Sequence, residues 1–186
     1  MVIESRLYTV EEFEAIADAP ENRDRLLQLI NGEIIEKVPT EKHGMIAGNV
    51  FGHIWDYVQQ YKNGRVVIEV RHHSPSDDRN ALIPDVSFIA GQRPAVAQGS
   101  VPQMPDLAVE VKSPDDTLKE LRQKARYYLA HGCEQVWLVH PQKRFVEVYT
   151  PDDELVLLEG DILDGGELLP GFQLTVSDVF EDSADG

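Results

Sequence analysis

The segment PDLAVEVKSPDD, residues 105–116, alternates Leu107, Val109 and Val111 with Ala108, Glu110 and Lys112. That is the period of a pleated strand with one buried face. Its other face nevertheless carries a carboxylate and an ammonium two residues apart, and burying charge is costly unless it is paired or metal-bound. Upstream, IPDVSFIA sets Asp85 directly after Pro84 at the mouth of another strand. Pairing of the two strands would bring Asp85 and Glu110 together. Two carboxylates and a main-chain carbonyl make a hard-oxygen site suited to Mg²⁺ or Mn²⁺. A lysine alongside, on this geometry Lys112, holds a water or a phosphate oxygen and offsets charge building in a transition state. The chemistry that fits is metal-assisted phosphodiester hydrolysis. Carboxylates so close would, without the ion, raise the pKa of at least one of them. The bland alternative is a solvated edge strand carrying a weak ion pair, with Asp85 a turn residue after proline.

The elements that must position these groups can be read from the pattern. Thr9 with Glu12 is a capping box opening a short helix, and Asn31-Gly32 joins two apolar strands in a hairpin. Ile46, Val50, Ile54 and Val58 mark an amphipathic helix over 41–62, stopped by Gly64. RVVIEVRHH and IPDVSFIA are strand-like, and residues 91–105 form a loop. A helix capped by Asp115 or Asp116 presents Leu121, Ala125 and Tyr128 on one face and ends at Gly132. EQVWLVHP, RFVEVYTP and ELVLLEG are strands, GDILDGGELLPGF is turn-rich, and a last short helix covers 176–180. The whole predicts an α/β domain over residues 1–180, a mixed β-sheet flanked by helices with an additional N-terminal hairpin, and an acidic disordered tail over 181–186.

Composition bounds the partners. Seventeen Lys and Arg against 33 Asp and Glu give a net charge of −16, which opposes non-specific polyanion binding but allows a local basic cleft or a metal-bridged site. No apolar run approaches the roughly 18 residues that would span a bilayer, and the N-terminus lacks a secretory pattern, so a cytoplasmic protein with no membrane partner is expected. Cys133, the one cysteine, reads as a buried small hydrophobe. His72 and His73 are adjacent strand residues facing opposite ways and do not share an ion.

Pro84-Asp85 followed by Glu110-Val111-Lys112 resembles the PD-(D/E)xK nuclease pattern. LQLINGEIIEKVPTEKHGMI, IPDVSFI, PDLAVEVKSPDD, KARYYLAHGCEQVWLVHP and LLPGFQLTVSDVF fall in the order of the Uma-two family of restriction-endonuclease-like proteins, from about Tyr8 to Phe180. The resemblance implies a restriction-endonuclease-like core, a divalent metal and endonuclease activity on nucleic acid, DNA first. It places Asp85 and Glu110 at the metal, Glu33 as a further acidic residue, and His43 in an accessory motif. Many relatives have an apolar residue where Lys112 stands and a lysine in the next helix, here Lys124, so either lysine fits the catalytic role. A homodimer would suit cleavage of both strands. The competing classes are a non-catalytic protein-interaction module on the same fold and a structural subunit with an internal ion pair.

Overall fold

The computed structural model describes residues 6–182, so most of the expected tail, residues 183–186, lies outside the described residues. Thr9 caps α1 (Val10–Ala17) through the reciprocal Thr9/Glu12 box. A 3-10 turn leads into β1 (Leu26–Ile30) and β2 (Glu33–Lys37), joined at Asn31-Gly32, both with positive φ as a tight hairpin requires. Helix α2 (Glu41–Tyr61) follows, with Ile46, Val50, Ile54 and Val58 on its buried face. It ends at Tyr61 with Lys62 as its left-handed cap, two residues before the expected glycine.

The expected continuous strand RVVIEVRHH is two pieces, β3 (Gly64–Ile68) and β4 (His72–His73), because Glu69 has φ 52 and breaks the ladder. Next come β5 (Ala81–Leu82), β6 (Val86–Ala90) and β7 (Leu107–Val111). Helix α3 (Leu118–Ala130) is capped by Thr117 rather than by Asp115 or Asp116, since only Thr117 has Glu120 three residues on to close a capping box. β8 (Gln135–His140), β9 (Phe145–Tyr149) and β10 (Glu154–Leu157) complete the main sheet. The stretch expected to be turn-rich forms a hairpin of β11 (Ile162–Gly165) and β12 (Leu169–Thr175), followed by α4 (Val176–Val179).

The main sheet has the order β10-β9-β8-β7-β6-β3. Its one parallel pair is β7–β8, crossed over by α3; the other neighbours are antiparallel. Val66, Val86, Val109 and Trp137 pack with α2, β12 and α4 in one core layer. Ala108, Val136 and Leu138 pack with Leu121, Ala125 and Tyr128 of α3 in the other. A smaller sheet, β2-β1-β5-β4, carries α1 against Leu27 and Leu29. The chain passes from the small sheet to the large one through Ile83-Pro84-Asp85, where proline has no N–H to continue a ladder. No described helix is long and apolar enough to cross a membrane.

Candidate active site

Asp85 lies on that passage between the sheets and is 2% exposed. Its backbone N–H donates to the Val109 carbonyl at 2.9 Å, tying it to β7. One carboxylate oxygen, Oδ2, accepts the Val111 N–H at 2.6 Å and lies 3.1 Å from His43 Nε2. The other, Oδ1, accepts from the ammonium of Lys37, which also donates to the Ile83 carbonyl at 2.9 Å. Lys37 is the last residue of β2, and its side chain is only 12% exposed. His43 is placed by the first turn of α2, where the Thr40 hydroxyl accepts its N–H at 3.3 Å.

Glu110, 3% exposed, has its own partners from α3. The Tyr128 hydroxyl donates to Oε1 at 2.7 Å, and Lys124 Nζ stands 3.3 Å from Oε2. A second clamp holds the same helix: Arg122 donates through two nitrogens to buried Glu147, at 2.6 and 3.1 Å, and Tyr149 donates to it at 2.8 Å. Fork geometry of that kind fixes orientation as well as distance, so α3 is held with Lys124 toward Glu110.

The electrostatics follow from these contacts. Burial pushes the Asp85 carboxyl up, but the His43 hydrogen bond and the Lys37 charge outweigh it and hold the group below its ordinary range. The expected upward shift therefore fails for Asp85, because its nearest charge is a lysine and not another carboxylate. Burial pulls Lys37 and His43 down, and pairing with Asp85 more than reverses this, so both are raised. Each also feels the Glu110 charge, so both side chains lie in the field of both carboxylates.

The most specific comparison is with a family described as "Putative restriction endonuclease", Uma2, whose model matches residues 10–177. The chain belongs to the Uma2 family. A crystal structure described as a "putative nuclease belonging to DUF820" from Anabaena variabilis superposes on this Uma2 chain with a TM-score of 0.77 at 25% identity, over 92% of this chain and 97% of that one. The restriction-endonuclease-like core expected from the sequence is thus the fold observed. A cryo-electron-microscopy structure of a DrdV–DNA complex gives a TM-score of 0.38 at 18% identity, covering 71% of this chain and 11% of that one, too slight a likeness to bear on function. No curated protein matches the chain.

Of the residues singled out in sequence, the fold assembles Asp85, Glu110, Lys124 and His43. Lys112 is elsewhere: β7 ends at Val111, so strand alternation no longer governs the next residue, and Lys112 Nζ donates to the Ser113 carbonyl at 2.9 Å. Glu33 is exposed at the far end of β2 from Lys37 and makes no side-chain hydrogen bond or ion pair among the described residues. Lys37 and Tyr128 are the site residues that sequence spacing missed. A lone lysine ending the apolar strand EIIEK was the available signal for the first.

Does this Uma2 site fit a divalent ion? Among the described residues no three of His, Cys, Asp and Glu group closely enough to hold one unaided. Mg²⁺ is commonly held by one or two carboxylates with waters and substrate phosphate, and Asp85 and Glu110 supply those. The ammonium of Lys37, lying on a carboxylate oxygen and a main-chain carbonyl, occupies a cation position built from hard oxygen donors. The donor set fits.

Proposed function

We propose that this Uma2 chain is a divalent-metal-dependent nuclease that hydrolyses phosphodiester bonds of nucleic acid, DNA first, with Mg²⁺ or Mn²⁺ bound through Asp85 and Glu110. The observation that carries the reading is a pair of buried carboxylates, each matched to a lysine from a different element: Lys37 on Asp85 and Lys124 on Glu110. A structural domain has little use for two charge pairs buried side by side, because apolar packing stabilises as well. A bound metal would supply Lewis-acid polarisation of the phosphate and an activated water. Lys124, fixed by the clamps on α3, holds a water or a phosphate oxygen beside Glu110 and offsets negative charge as the leaving oxygen departs. His43 orients Asp85 through Oδ2, and Tyr128 orients Glu110 through Oε1. A homodimer is one way to cut both strands of a duplex, and a single subunit suffices for one strand.

The test is to incubate the pure protein with single- and double-stranded DNA and RNA plus Mn²⁺ or Mg²⁺, beside Glu110→Gln. Cleavage lost in the variant supports the assignment. Cleavage persisting in it is contamination, and no cleavage with no metal-dependent thermal shift supports instead a non-catalytic interaction module, for which the −16 charge speaks.

A further inference from the structure

A cleft of about 370 Å³ opens beside the active site, bounded by the first turns of α2 and α3 and by the β8–β9 turn. His43 lies in its wall and touches Asp85 with Nε2, so the cleft leads directly to the catalytic cluster. Its lining is the reverse of the chain as a whole. Lys42, Lys112 and Lys143 stand in it, and no described carboxylate lines it, in a molecule of net charge −16. Lys42 and Lys143 are exposed, and neither amine has a hydrogen-bond or ion-pair partner among the described residues.

The rest of the cleft wall is apolar. Leu118 is 42% exposed there. Phe145, half-buried, has one face stacked on His140 at 4.1 Å and 12°, which fixes the ring. An anion alone needs no such wall, and a purely apolar ligand needs no lysines. A nucleotide has both halves, a phosphate for the amines and a flat base for Phe145 and Leu118. In a duplex that base is stacked and paired, so it could reach this wall only by being unstacked. An unpaired nucleotide exposes its face at no such cost.

We propose that this cleft seats one unpaired nucleotide of a single strand, its phosphate on Lys42, Lys112 and Lys143 and its base against Phe145 and Leu118, next to the scissile position. The inference rests on the nuclease reading and gives it a strandedness. Lys112 then serves substrate binding, while Lys124 serves the carboxylates.

The experiment measures fluorescence anisotropy of a labelled twelve-residue oligothymidylate, and of a duplex of equal length, with the full chain in EDTA so that nothing is cut. The single strand should bind at least about tenfold more tightly than the duplex, with Lys143→Glu and Lys42→Glu each weakening it severalfold and lowering the salt slope by about 0.7 per lysine. Phe145→Leu should weaken it about fivefold or more, with circular dichroism confirming each fold and the lysine variants, at exposed positions, carrying the test if Phe145→Leu does not fold. Equal duplex binding, or single-strand binding unmoved by the lysine variants, overturns the inference. If that occurs while Mn²⁺-dependent cleavage persists, the nuclease reading stands without it. If the cleft variants act as expected but no nucleic acid is cut, the cleft stands and the nuclease reading falls.

Discussion

Lys37→Gln separates the two roles that the Lys37 ammonium plays. Lys37 is 12% exposed and Asp85 2%, and removing one partner of a buried ion pair costs about 3–5 kcal/mol. Asp85 keeps the Val111 N–H and His43, and the glutamine amide can still donate one bond, which reduces the loss to about 2 kcal/mol. For a chain of this size that lowers the Tm in EDTA by about 4–8 °C. Metal binding should move the other way. In the native protein an ion reaches Asp85 Oδ1 only by displacing the ammonium, and a hydrogen bond to a charged group is worth about 1.5–3 kcal/mol. With the competitor gone, Mn²⁺ should bind roughly 10- to 100-fold more tightly. Titration calorimetry or Mn²⁺ electron paramagnetic resonance reads the affinity, and melts with and without Mn²⁺ read the stability. A variant merely damaged at the site would lose on both counts. Lys37→Gln binding Mn²⁺ no more tightly than the native chain would refute the idea that this lysine holds the cation's place.

Further outcomes follow from other contacts. Lys124→Met should cut turnover by about 10²–10³-fold, whereas Lys112→Met should act mainly on KM; steady-state cleavage kinetics distinguish them. Burial holds His72 down to about 4, although its hydrogen bond to the Gln103 carbonyl opposes the shift. The unfolded chain therefore takes up this proton first as pH falls, so stability present above pH 6.5 is lost down to pH 4, by about 3 kcal/mol. Urea melts across that range should show the loss in the native chain and a shallower one in His72→Gln. At Gly64 an added Cβ would stand 2.3 Å from the Ile89 carbonyl and 2.7 Å from the Phe88 ring, so Gly64→Ala should destabilise by about 1–3 kcal/mol in the same assay.

How far the sequence could be read depended on whether the deciding contact was local. Helix α2 and the Asn31-Gly32 hairpin are local patterns, and both are found. Glu110 stood out because a charge in an apolar strand violates burial rules whatever the partner, and Asp85 because it follows Pro84 at a strand entry. Lys37 has no such mark: its partner is 48 residues away and lies between two sheets. Lys112 was placed by alternation, which fails one residue past the strand end. At the start of α3, three consecutive residues carried a capping oxygen, and only the reach to Glu120 chose Thr117. The β11–β12 hairpin was hidden by Gly165, Gly166 and Pro170, which read as turn, while a register shift at Asp164/Gly165 blurs its alternation.

The three-residue passage Ile83-Pro84-Asp85 makes the proposed catalytic cluster a joint between two slabs. The smaller slab contributes Lys37, and the larger contributes Glu110 and the grip on Asp85 through Val109. Parts of a fold open at different free energies, so gentle warming should pry the joint apart and abolish the proposed activity while the main core remains intact.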